Sequence, residues 1–127
     1  NGMASKEEGD LFGAMIAGDM EKVQEMSRQS SSLFCAQLAL SEFLRKFMEF
    51  KANPPEKLAL EMTGSKLLVW AEVAEDDDSA CRALLLADAA ANARVESLGY
   101  STSITVVESS DGLEAPRHYK LVLPAAA

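Results

Sequence analysis

One histidine and two cysteines are all that this chain offers of the side chains most used to bind transition metals. His118, Cys35 and Cys81 stand far apart, and no cysteine pair is closely spaced, so no metal is expected. The 7 glycines are scattered, without a G-x-G-x-x-G or a Walker element, which removes the common phosphate-cradling loops. A G-x-S-x-G serine elbow is missing as well. Basic residues are in deficit, 12 against 20 acidic ones, and they form no stripe interleaved with aromatics. A net charge of −8 repels phosphate backbones and anionic headgroups alike, so neither nucleic acid nor a membrane surface is an expected partner. No run approaches the 18 or so apolar residues that a spanning helix needs. No cofactor is expected.

What is present reads as one soluble globular domain, with 48% hydrophobic and 25% charged residues in 127. Residues Asn1 to Asp10 are polar and acidic and carry no signal-peptide pattern. Each cysteine falls in an apolar helical run and reads as a reduced core thiol. Together these features suggest a cytoplasmic protein. Asn1-Gly2 and Ala125 to Ala127 look like cloning remnants, which leaves 3–124 as a single α+β domain.

The first part of that domain, 5–52, is helical in pattern. Asp10 can cap a short helix holding Leu11, Phe12, Met15 and Ile16; Gly18 breaks it, and Asp19 can cap the next. The Ala17-Gly18-Asp19 and Lys22-Val23 spacing resembles the outer helices of an ankyrin-type repeat. No second copy and no Thr-Pro-Leu-His element accompanies it, so the segment reads as a generic helix–turn–helix. Ser30-Ser31-Ser32 is expected either to interrupt the helix or to bend it. From Leu33 to Phe50 the spacing predicts one helix with a broad, mainly apolar stripe through Leu33, Phe34, Gln37, Leu38, Leu40, Ser41, Leu44, Phe47 and Met48. Asn53-Pro54-Pro55 ends it.

The second part, 57–123, reads as β-β-α-β-β. Lys57 to Met62 reads either as a last helical turn or as a short strand; the favoured expectation is a hairpin of Leu58–Met62 with Lys66–Val73 across Thr63-Gly64-Ser65. Leu67-Leu68-Val69-Trp70 is apolar on both faces and so belongs to a central strand. Glu75-Asp76-Asp77-Asp78-Ser79 supplies caps and favourable charge for a helix running to Leu98, where Gly99 stops it. Its stripe is Ala83, Leu84, Ala87, Ala90, Ala91 and Leu98. Tyr100 to Glu108 is a third strand. Ser109-Ser110-Asp111-Gly112 reads as a hairpin loop, and a last strand begins at Arg117 and runs through Leu123. The expected fold is α+β: N-terminal helices packed on a small mixed or antiparallel sheet of three to four strands, in two layers.

Candidate sites are few. His118 and Tyr119 are a conventional base and a hydroxyl, but alternation puts them on opposite faces of a strand. Glu108, Asp111 and Glu114 cluster in a loop without the order of a calcium site. Glu72 and Glu75 to Asp78 lie at a strand's end, where a cationic ligand fits better than a phosphate. The phenylalanines Phe34, Phe43, Phe47 and Phe50 and the methionines offer an apolar helical face of the kind that partners or second copies cover. The leading expectation is a small acidic non-enzymatic protein-binding or regulatory domain acting through that face, and a homodimer formed through the N-terminal helices or through sheet edges. The alternative is a ligand-binding protein or enzyme with a pocket between helix 33–50 and the sheet. Glu72, Glu108, His118 and Tyr119 would be its polar groups.

Overall fold

The computed structural model describes residues 20–124. The short helix expected over 11–17, with Asp10 and Asp19 as caps, lies outside them. Helix α1 spans Met20–Glu49 and passes through the three serines without a break. Its end tightens: the amide of Phe50 donates to the Phe47 carbonyl at 3.1 Å, and Lys51 turns into the left-handed region at φ 52. Pro54 and Pro55 then deny any continuation.

Strand β1 (Lys57–Met62) pairs antiparallel with β2 (Lys66–Val73), in a register that sets Leu58 against Ala71 and Leu60 against Val69. Thr63 fixes the turn, its hydroxyl accepting from the amides of Ser65 at 3.3 Å and Lys66 at 3.0 Å. Helix α2 runs Asp78–Val95 and is capped by Asp77, whose carboxylate accepts from the Ala80 amide at 3.1 Å. A single 3₁₀ turn, Glu96–Leu98, comes next and closes at Gly99, where φ is 78. That conformation is the reason for a glycine there.

Strand β3 (Ser101–Glu108) lies parallel to β2, and β4 (Lys120–Leu123) lies antiparallel to β1. The sheet order is β3-β2-β1-β4, so β2 is central, as its two-sided apolar sequence requires. The α+β order expected from the sequence holds, with the helices laid on one face of a mixed four-stranded sheet. Two details differ. β3 and β4 are not a hairpin but occupy opposite edges. The connection, residues 109–119, therefore crosses the face that carries no helix. There Ala115 and Tyr119 pack on Trp70, Ala59 and Val107. The strand expected from Arg117 consequently starts only at Lys120, once the chain has reached β1.

The main core lies between the helices and the sheet. Leu67, Val69, Ala71 and Val73 rise from β2 to meet Ala80, Leu84, Ala87, Ala91 and Val95 of α2 and Cys35, Ala36, Ala39 and Phe43 of α1. The buried side of α1 thus carries the small Cys35, Ala36 and Ala39 together with the large Phe43. Leu33, Phe34, Leu44 and Met48, expected in the buried stripe, are exposed. Apolar residues cover most of the circumference of this helix, so spacing alone does not single out one face. Close approach to the alanine side of α2 selects the small side chains. Leu98, assigned to the α2 stripe, is exposed for a related reason: the 3₁₀ turn rotates it out of phase.

Candidate functional site

Strand β4 has four residues where β1 has six, so the sheet runs out beside Glu61 and Met62 while α1 continues above. The result is an open apolar groove of about 500 Å³. Leu33, Ala36, Gln37 and Leu40, at helical spacing, form its α1 wall. Leu60 and Leu67 belong to its sheet side, and Met62 and Val122 stand at its rim, 57% and 42% exposed. The polar groups at the mouth are Glu61, His118 and Lys120. His118 is held there: its Nε2 lies 2.9 Å from the Glu61 carboxylate, and its ring meets that of Tyr119 edge-on at 5.2 Å. Ser32 anchors the far end, its hydroxyl donating to the Gly64 carbonyl at 2.6 Å.

Of the four polar residues expected to converge on a pocket between helix 33–50 and the sheet, His118 alone lines this groove. Glu72 points to the face without helices, buried, with the Lys57 ammonium 4.0 Å away. Glu108 ends β3 and shares a capping box with Asp111. Tyr119 packs on the Trp70 cluster. The four phenylalanines divide in the same way. Phe43 is core and Phe47 packs against it, whereas Phe34 and Phe50 are exposed. Phe50 also lies under the Lys46 ammonium, 5.7 Å from the ring centroid.

Two apolar features of the groove were not singled out by sequence reasoning. Val122 and Leu60 come from strands whose pairing is not visible in the sequence. Gln37, by contrast, sits at the helical spacing of Leu33 and Leu40 and is part of the stripe read from the sequence.

Elsewhere the electrostatics serve structure. On the outer side of α1, Arg45 grips Glu42 and Glu49, and its guanidinium holds the Glu42 carboxyl below the usual range. Asp77 of the acidic run caps α2 and also accepts from Asn53 at 3.1 Å, tying the exit of α1 to the start of α2. Burial pushes the Asp88 carboxyl up, with Thr102 pulling the other way, and pushes the Tyr100 phenol up. Among the described residues no group of three or more His, Cys, Asp or Glu side chains is placed to hold a metal ion. Cys35 and Cys81 are free thiols, the first buried. No described helix is long and apolar enough to cross a membrane.

No family model, no curated protein and no solved structure matches this chain. The groove and its surroundings therefore carry the functional reading.

Proposed function

We propose that this chain is a protein-binding domain that takes an apolar segment of a partner into the groove between α1 and the β1–β4 edge. The observation that carries the reading is the exposure of large apolar side chains around a concave apolar surface: Leu33, Met62 and Val122 stand more than a third in water about a groove of about 500 Å³. Such a combination costs solubility unless something covers it. An open trough with a helical wall suits an amphipathic segment, which reads it through side chains at helical or alternate spacing. The net charge of −8 favours a segment with basic flanks, which electrostatic attraction would guide and orient.

The test uses the rim. Leu33→Glu combined with Val122→Glu changes two exposed residues and leaves the core untouched. The doubly substituted chain should fold with an unchanged far-UV spectrum and lose the partner that the wild-type chain retains from its source cells. Retention of the same partner would remove the groove from consideration.

A second reading is a small apolar ligand in the same groove, favoured by depth: Leu67, which lines it, is only 1% exposed. Native mass spectrometry separates the two. A bound small molecule of constant mass supports the ligand, and a polypeptide supports the partner.

A further inference from the structure

The two outer edges of the sheet are unlike. β4 has four residues, starts with Lys120 and is followed by Pro124, features that discourage another strand from pairing. β3 has eight residues, Ser-Thr-Ser-Ile-Thr-Val-Val-Glu, with no lysine, arginine or proline among them. It bonds to β2 along one side and to no strand along the other among the described residues.

Its backbone donors show which groups face outward. The Ser101 amide donates to the Ser65 carbonyl at 3.0 Å, on the β2 side. The Thr102 amide turns away and donates to Oδ1 of Asn92 at 3.0 Å, and the Glu108 amide donates to Asp111 at 2.9 Å. Strand alternation therefore aims the peptide groups of Thr102, Ile104, Val106 and Glu108 outward. The two end amides are capped by side chains. The two middle ones, Ile104 and Val106, take no partner among the described residues, and the caps stand three residues to either side of Thr105.

We propose that β3 is a self-pairing edge, on which a second copy of this chain docks antiparallel with the two-fold axis at Thr105. The occupant is set by the symmetry of the free groups. With Thr105 on the axis, Ile104 lies opposite Val106 of the copy and Val106 opposite its Ile104. Each pair exchanges both N–H···O bonds, and capped ends meet capped ends. Thr105 then faces its own counterpart across a non-hydrogen-bonded pair, a favourable Thr–Thr contact. Above the strand, Leu85 of α2 sits three and seven positions before Asp88 and Asn92, both of which bond Thr102. It shares their side of the helix, is half exposed, and overhangs the edge where the copy's Leu85 would meet it. The product is a continuous sheet of two four-stranded halves. The groove lies at the β1–β4 side, so this interface leaves it open and does not depend on it.

Light scattering on the full chain tests the inference. The wild-type mass should be twice 13.7 kDa at rising concentration. Thr105 is exposed on the helix-free face, so Thr105→Lys spares the fold and sets two like charges against each other on the axis. It should return the monomer mass with the far-UV spectrum kept. Thr105→Cys should form a covalent dimer under mild oxidation, because Cα atoms in such a pair lie about 4.5 Å apart, within disulfide reach. Wild-type chain, carrying only Cys35 and Cys81, should not. A monomeric wild type, or a dimer unchanged by Thr105→Lys, overturns the proposal.

Discussion

Phe34 and Phe43 sit on one helix in opposite situations, 59% and 2% exposed. Truncating the second opens a void among core neighbours from both helices and the sheet, and Phe43→Ala is expected to cost about 3–5 kcal/mol. Phe34→Ala should stay within about 0.5 kcal/mol, as exposed substitutions do. Urea titration of the two variants measures both. Asp88 supplies a prediction of opposite sign. Its Oδ1 is buried without a partner, and burial raises its pKa above the ordinary carboxylate range. The folded chain then holds that proton more tightly than the unfolded one. Its contribution to stability therefore falls as pH rises from the unfolded pKa through the raised folded one. Asp88→Asn should raise Tm at neutral pH, and the gain should shrink with falling pH and vanish below about pH 3, where the wild-type carboxyl is protonated in both states. A gain that persists unchanged in acid would assign the effect to something other than ionisation. Neither the burial of Phe43 nor that of Asp88 was readable from type or spacing. Phe34 and Phe43 share a helix rich in apolar residues all round, and Asp88 sits in an alanine run that gives no sign of what faces it.

At the scale of elements, the start and stop of α2 were legible because their chemistry is local. Asp77 accepts from Ala80, and Gly99 takes the left-handed conformation, both within a few residues of the signal. Asp77→Ala should cost about 1 kcal/mol through the lost cap, plus the loosening of its link to Asn53. Thermal melts of that variant and of Asn53→Ala separate the two contributions. The β1–β2 hairpin was legible in part: Thr63-Gly64-Ser65 marks a short turn, but 57–62 alone reads as strand or helical turn until β2 pairs with it. The placement of β4 was not. Adjacent strands suggest a hairpin, yet residues 109–119 are longer than the two to five residues of ordinary hairpin loops. That length was the available warning. What decides the outcome is tertiary: Trp70 on the helix-free face needs covering, and Ala115 and Tyr119 do so on the way to β1. Tyr119→Ala should therefore destabilise the fold although it lies in the connection before β4, by roughly 2–3 kcal/mol for a partly buried aromatic.

For the whole molecule, the groove is a consequence of mismatched lengths. α1 runs past the end of a β4 that is shorter than β1, and the uncovered corner exposes Leu33, Met62 and Val122 together. The sequence pointed to the α1 side, through the apolar spacing of Leu33 and Leu40. It did not point to the sheet side, because pairing across the sheet sets which strand residues stand opposite. The polar residues chosen for such a pocket scattered for the same reason: Glu72 and Tyr119 face the other side of the sheet. Edge pairing through β3 and capture through the groove occupy opposite edges, so a substitution at one should leave the other intact. Thr105→Lys should abolish self-association without loss of the partner.

Site-specific photo-crosslinking is the most direct test of the groove. A photoreactive side chain placed at Met62, on the rim, is compared in the source cells with one placed at Leu86, exposed on α2 away from the groove. Capture in the groove predicts one discrete polypeptide adduct from Met62, none from Leu86, and its disappearance when Val122→Glu is added. Equal adducts from both positions, or none from Met62, would contradict it.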